Sequence, residues 1–159
     1  MTIQPACCFT GHRDIPDDLR DFLTRRLSDG ITCLQKHGVT QFYTGGALGF
    51  DTLAAEAVIK ARDAVPGIRL TLVLPCRTQA DRWPPAAQER YQRILNAADE
   101  VICLSENYYS GCMQFRNRYL IEHSDYCIAY LTRQTGGTAY TVRYAHKKGK
   151  TVYNLAPRA

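Results

Sequence analysis

The chain has 159 residues, enough for one domain with its own core and too few for two ordinary ones. A hydrophobic fraction of 45% beside 22% charged residues excludes a disordered chain, and no run approaches the ~18 apolar residues of a membrane span. With 20 Lys and Arg against 15 Asp and Glu the formal charge is +5, which favours anionic partners, but the basic residues are scattered among acids, so a dedicated nucleic-acid surface is not expected. The densest basic stretch, Arg143 to Lys150, reads as a solvated helix face. Met1-Thr2-Ile3-Gln4-Pro5 has neither a basic start nor a long apolar run and is not read as a signal peptide. Seven cysteines without a C-x-x-C pair are read as reduced thiols, with no metal site, and a cytoplasmic location is the expectation. Cys7, Cys8, Cys103 and Cys127 lie in apolar runs and are expected to pack as small hydrophobes.

The first run, Ala6-Cys7-Cys8-Phe9, predicts a strand. A helix follows from Pro16-Asp17-Asp18, with proline and acids where a helix N-terminus favours them. Leu19, Phe22, Leu23, Leu27, Ile31 and Leu34 form its apolar stripe, Gly30 is a candidate break, and His37-Gly38 is the stop. A second strand at Gln41-Phe42-Tyr43 leads to a helix from about Phe50 to Arg62. The third strand, Leu70 to Leu74, precedes a helix that starts after Trp83-Pro84-Pro85. Then come a strand at Val101 to Leu104, a helix from about Met113 to His123 and a strand at Tyr126 to Tyr130. A last helix from about Thr138 to Lys148, closed by Gly149, leads to a strand at Thr151 to Leu155.

The strand runs are near-continuous in apolar residues, as strands covered on both faces are. The βαβ alternation predicts a single α/β domain over residues 1–159, a Rossmann-like open parallel sheet of about six strands with helices on both faces. In such sheets ligands sit beyond the carboxyl ends of the strands, where strand order reverses. The turns after the strands are therefore the candidates.

Thr10-Gly11-His12-Arg13 follows the first strand and offers an Arg for phosphate and a His for hydrogen bonding. Gly45-Gly46-x-x-Gly49, with Asp51 just behind it, follows the second. Glycines at a strand-to-helix turn serve either to free backbone N–H groups for an anion or to pack turn against helix. The pattern is neither G-x-G-x-x-G nor a Walker loop. Arg116 and Asn117 sit near the start of the fourth helix, suited to phosphate or carboxylate and to a sugar or base edge; a plain exposed helix face is the alternative. Gly136-Gly137-Thr138 opens the fifth helix, where Thr138 is either its cap or a phosphate ligand. Trp83, beside two prolines, is either a lid that stacks on a base or a local core residue.

Taken together, Phe9-Thr10-Gly11-His12-Arg13, Phe42 to Asp51, Arg116-Asn117 and Thr135-Gly136-Gly137-Thr138 resemble the YpsA-like branch of the SLOG superfamily, which also holds DprA and the LOG phosphoribohydrolases. The resemblance covers nearly the whole chain and implies a Rossmann-like fold with a nucleotide-type ligand at the glycine turns. LOG hydrolases carry a pattern similar to Gly-Gly-x-Gly-Thr-x-x-Glu at the corresponding turn. Here Ala139, Tyr140 and Arg143 stand where the second-half glycine, threonine and glutamate are expected, and no acid occurs from Thr138 to Lys148.

The leading expectation is a domain that binds or senses a phosphate-bearing, nucleotide-derived small molecule of ADP-ribose, NAD or mononucleotide type. A nucleotide N-glycosidase, with Glu106 or Asp51 as its carboxylate, is the second reading, since N-glycosidic cleavage needs an acid or base beside an oxocarbenium-like centre. Single-stranded DNA binding, with Trp83, Tyr108 and Tyr109 as stacking aromatics, ranks third. A homodimer is left open.

Overall fold

The computed structural model describes residues 4–158; residues 1–3, part of the stretch judged above for a signal peptide, and residue 159 lie outside it. Six strands form one sheet: β1 (Ala6–Gly11), β2 (Gln41–Thr44), β3 (Arg69–Leu74), β4 (Glu100–Cys103), β5 (Tyr126–Tyr130) and β6 (Thr151–Asn154). Its order is β4-β3-β2-β1-β5-β6, and every pairing is parallel. The helices are α1 (Arg20–Lys36), α2 (Phe50–Ala64), α3 (Pro85–Ala97), α4 (Cys112–Glu122) and α5 (Gly137–Lys147), with a 3-10 turn at Asp17–Leu19 before α1.

The apolar runs make two-sided strands because successive side chains point to opposite faces. Cys7 and Phe9 of β1 enter one core while Cys8 enters the other. In β3, Leu70, Leu72 and Leu74 face the larger core and Val73 the smaller. The larger core lies under α1, α2 and α3, the smaller under α4 and α5. Helix α1 buries Leu23, Leu27, Ile31 and Leu34 and runs unbroken through Gly30. A Cβ at Gly30 would come within 3.3 Å of Ile128 Cδ1, so the missing side chain lets the helix lie close over β5.

Two expectations fail at the sheet edges. β4 and β6 are not covered on both faces: Val101 is 43% exposed although its register partner Leu72 is fully buried. Cys103 is likewise exposed, while Cys7, Cys8 and Cys127 are buried. An edge strand lacks one strand neighbour and much of the helical cover, so an apolar run there does not report burial.

The chain lays β1 to β4 outward in one direction, then crosses back through α4 to place β5 on the other side of β1. The reversal puts the carboxyl ends of β1 and β5 side by side, with Gly11 opposite Tyr130. Among the described residues no helix is long and apolar enough to cross a membrane.

The Leu72 and Val101 pair tests the edge argument directly. Leu72→Ala is expected to cost about 2–5 kcal/mol and Val101→Ala less than ~1 kcal/mol, read from urea titrations. Equal losses would contradict the assignment of β4 as an uncovered edge.

Candidate functional site

The turn after β1 is fixed by His12. The imidazole is 5% exposed, and its Nε2 accepts the Thr132 amide at 2.9 Å. The ring also meets Tyr130 edge-on at 5.5 Å, and the His12 carbonyl accepts the Phe50 amide at 3.1 Å. One residue thus ties together the ends of β1 and β5 and the start of α2. An acceptor Nε2 leaves the ring proton on Nδ1. Burial, then the nearby Arg133 cation, lowers the His12 pKa below its ordinary value, against a smaller opposing effect of Asp14. Nε2 of the histidine expected to hydrogen-bond is thus engaged by the protein's own backbone.

The turn after β2 is filled from within. Arg116 is 4% exposed, and its Nη1 donates to the Gly45 carbonyl at 2.6 Å and to the Val73 carbonyl at 3.3 Å. Its Nε donates to Asn117 Oδ1 at 2.9 Å. A Cβ on residue 45 would lie 2.4 Å from Arg116 Nη1, so the guanidinium uses the space a side chain would take. Gly49 has φ +78, and a Cβ there would fall 2.1 Å from the Arg13 carbonyl oxygen. These glycines answer to close packing.

Asp51, in the first turn of α2, is 6% exposed and accepts the Ala47 amide through Oδ2 at 3.2 Å. The carboxylate therefore takes the anion's place at this turn. Burial pushes its pKa from 3.8 to about 6, against the opposing pull of Arg116, the Ala47 amide and Arg13. Its Oδ1 has no hydrogen-bond partner among the described residues.

The turn after β5 is different. Gly136, with φ +95, precedes α5, and no side chain caps the helix. The amides of Gly137, Thr138 and Ala139 have no intrahelical acceptor, and the first turn carries no acid to offset the helix dipole. Thr138 is not a cap; it is 8% exposed and its hydroxyl makes no hydrogen bond within the described residues.

These pieces border one cleft of about 320 Å³ at the β1–β5 reversal. Thr10, Gly11, His12 and Arg13 of the turn after β1 line it together with Asp51 of α2, Arg116 and Asn117 of α4, and Gly136, Gly137 and Thr138 at the start of α5. Gly45 and Gly46 do not border it, and Gly49 borders a separate cleft of about 500 Å³ with Leu48 and Arg90. Asp14, Met113 and Arg133 also line the first cleft and escaped sequence reading. Arg133 had a signal, its place in the turn after β5. Three arginines (13, 116 and 133) face two carboxylates (14 and 51) here. Glu106 lies elsewhere, exposed and forked onto Arg77 at 2.9 Å, which holds its pKa low. Among the described residues no group of three His, Cys, Asp or Glu comes together to hold a metal ion.

The family model for YpsA, described as the YspA SLOG family, matches residues 9–156. The chain belongs to the YpsA SLOG family. Among similar family proteins, UPF0398 protein BH1768 of Halalkalibacterium halodurans is 32% identical over 130 residues, 80% of this chain and 69% of its own. The uncharacterised SPbeta prophage-derived protein YoqJ of Bacillus subtilis is 31% identical over 153 residues, 87% of this chain and 88% of its own. DNA processing protein A from Helicobacter pylori, described with a single-stranded DNA binding mode, superposes with a TM-score of 0.69 at 22% identity, covering 98% of this chain and 67% of that one. Its Streptococcus pneumoniae counterpart gives 0.70 at 18% identity, and this chain spans about half of it (98% of this chain, 51% of that one). The molybdenum cofactor binding protein of Rippkaea orientalis gives 0.59 at 21% identity, covering 94% and 74%. At these identities the superpositions establish a shared fold.

The buried carboxylate sets a pH dependence for this SLOG domain. Between pH ~4 and ~6 the native state holds a proton on Asp51 that the unfolded chain has released, so stability falls as pH rises through that window and stays lowered above it. The shift corresponds to about 3 kcal/mol. Asp51→Asn keeps an oxygen for the Ala47 amide and is expected to raise stability by about 2–3 kcal/mol at neutral pH, with no gain near pH 3. Chemical denaturation at both pH values measures it; a destabilised variant at neutral pH would contradict the assignment.

Proposed function

We propose that this domain binds or senses a phosphate-bearing, nucleotide-derived small molecule of ADP-ribose, NAD or mononucleotide type. The observation that carries the reading is the uncapped N-terminus of α5, set against the arginines of the β1–β5 reversal. Phosphate sits on the amides of Gly137, Thr138 and Ala139, where the positive end of the helix dipole adds to hydrogen bonding. The Thr138 hydroxyl supplies a further donor. Arg13 and Arg133, both exposed, swing onto the anion, while Arg116 contributes charge alone because most of its donors are engaged. Asn117 and the free Oδ1 of Asp51 face the adjoining sugar, whose hydroxyls donate to a carboxylate. Gly11 borders the cleft through its backbone, the space of a side chain there being taken by Phe50.

A second reading has one observation in its favour. Asp51 is a buried carboxyl with a pKa near neutrality in a cleft, the condition of a general base or of a group that stabilises an oxocarbenium-like centre. It supports a nucleotide N-glycosidase. Single-stranded DNA binding draws less support. The basic stretch of α5, including His146 and Lys147, lies at the helix's carboxyl end. In a parallel sheet that end is at the opposite rim from the cleft, and of the basic stretch it is Arg143, donating to the Gln134 carbonyl at 3.1 Å, that reaches back toward the turn after β5.

Isothermal titration against ADP-ribose, NAD and nucleoside monophosphates is expected to show binding, weakened about 10-fold or more by Arg13→Ala or Arg133→Ala, since a charge-assisted phosphate contact contributes about 1.5–3 kcal/mol. No binding of any of these at millimolar concentration would remove the proposal. Chromatography decides the second reading: free base released by the wild type and lost in Asp51→Asn supports it, and intact nucleotide throughout rejects it.

A further inference from the structure

A larger chamber of about 740 Å³ adjoins the proposed phosphate cleft and shares Arg13 and Met113 with it. It lies beyond the carboxyl ends of β3 and β4, lined by Thr78, Gln79, Asp81 and Trp83 from the loop after β3 and by Tyr108 from the loop after β4. Its chemistry differs from that of the first cleft, with two large aromatic side chains beside one acid, Asp81, and two cations, Arg13 and Arg82. Tyr108 is 66% exposed, a large ring held in solvent at the chamber's rim. Exposed aromatic surface at a cavity wall is a stacking platform.

The walls are held in place. Trp83 packs edge-on against Tyr91 with ring centroids 5.0 Å apart. Gln79 Nε2 donates to Tyr91 Oη at 3.3 Å and to the Gly45 carbonyl at 3.2 Å, the same carbonyl that receives Arg116. Gln88 Nε2 donates to the carbonyls of Ala80 and Asp81 at 2.9 and 3.0 Å, which fixes the loop that carries Trp83. The Arg77 amide donates to the Ser105 carbonyl at 3.0 Å, and the Arg77–Glu106 fork joins the loop after β3 to the loop that carries Tyr108. The indole is therefore braced through hydrogen bonds to the carbonyl that holds Arg116 in the phosphate cleft.

We propose that the ligand spans both chambers, with its phosphate at the α5 N-terminus and a planar base carrying an exocyclic amine in the Trp83–Tyr108 chamber. The inference rests on the phosphate-binding reading above. The base stacks on Trp83 and Tyr108, and its amine donates to the Asp81 carboxylate or the Thr78 hydroxyl. The sugar crosses between Arg13 and Met113. An adenine-type ring meets both demands, and Asp81 rather than the neighbouring Arg82 is the group on which its preference over a carbonyl-edged ring depends.

Trp83 is the single tryptophan of the chain, so its emission reports on this chamber alone. Three probes separate the chambers: inorganic phosphate, ribose 5-phosphate and adenosine monophosphate, followed by calorimetry and by tryptophan emission. All three are expected to register in calorimetry, and only adenosine monophosphate to quench or shift the emission. Uridine monophosphate is expected to bind more weakly than adenosine monophosphate. Trp83→Ala and Tyr108→Ala are each expected to weaken adenosine monophosphate about 5- to 150-fold and to leave ribose 5-phosphate unchanged. Tyr108 is exposed and makes no hydrogen bond through its side chain within the described residues, so its variant keeps the test valid if Trp83→Ala misfolds. Adenosine monophosphate that binds with unmoved emission and undiminished affinity in Tyr108→Ala would overturn this inference while phosphate binding stands. No heat from any probe would overturn both.

Discussion

A guanidinium buried to 4% exposure is the constraint on which the rest of this molecule turns. Taking a cation out of water costs several kcal/mol unless acceptors meet it. Arg116 finds them in the carbonyls of Gly45 and Val73 and in Asn117, with the carboxyl of Asp51 near enough to influence its charge. The acceptors come from β3, from the turn after β2 and from α4 itself. Satisfying one charge thus locks three elements at the carboxyl rim of the sheet. It also decides which turn has room for anything else. The turn after β2, the best glycine motif in the chain, is closed by Arg116 over Gly45 and by Asp51 on the Ala47 amide. In the turn after β5 His12 takes the Thr132 amide, but among the described residues no side chain occupies the start of α5.

Much of this was legible in the residues. Five helices and six strands follow from the spacing of apolar positions, and the parallel order follows from their alternation. The placement of a cleft at the strand ends followed from the same logic, and Thr10 to Arg13, Arg116-Asn117 and Gly136 to Thr138 do meet there. What escaped is physical in each case. A run such as Val101-Ile102-Cys103 has the composition of a covered strand, but cover depends on sheet position, which only the full topology decides. Glycine reports that a Cβ is not wanted, without saying whether a ligand or a neighbouring side chain takes the space; at Gly45 it is Arg116. His12 looked like a free hydrogen-bonding group because its partner, the Thr132 amide, is 120 residues away in sequence.

Asp51 shows how stability and site chemistry pull apart. Burial holds its carboxyl at a pKa of about 6, a stability cost with no packing benefit that a neutral amide would not also supply. A raised pKa in a cleft fits a group that meets a ligand, and the Ala47 amide and Arg116 also give the carboxylate a structural role. The same contrast runs across the rim. His12 and Gln79 spend their polar atoms on rigid internal contacts, while Asp51 Oδ1, the Thr138 hydroxyl and the first amides of α5 have no partner among the described residues. The family membership sets the fold in which these groups sit.

The account's central claim is that the vacant donors of α5, and not the glycine turn after β2, receive the anion. Backbone amide resonances followed by NMR during titration with a phosphate-bearing nucleotide address it residue by residue. The account predicts the largest shifts at Gly137, Thr138 and Ala139, with Gly45 and Gly46 nearly still. Large shifts at Gly45 to Gly49 beside unmoved amides at the start of α5 would contradict it.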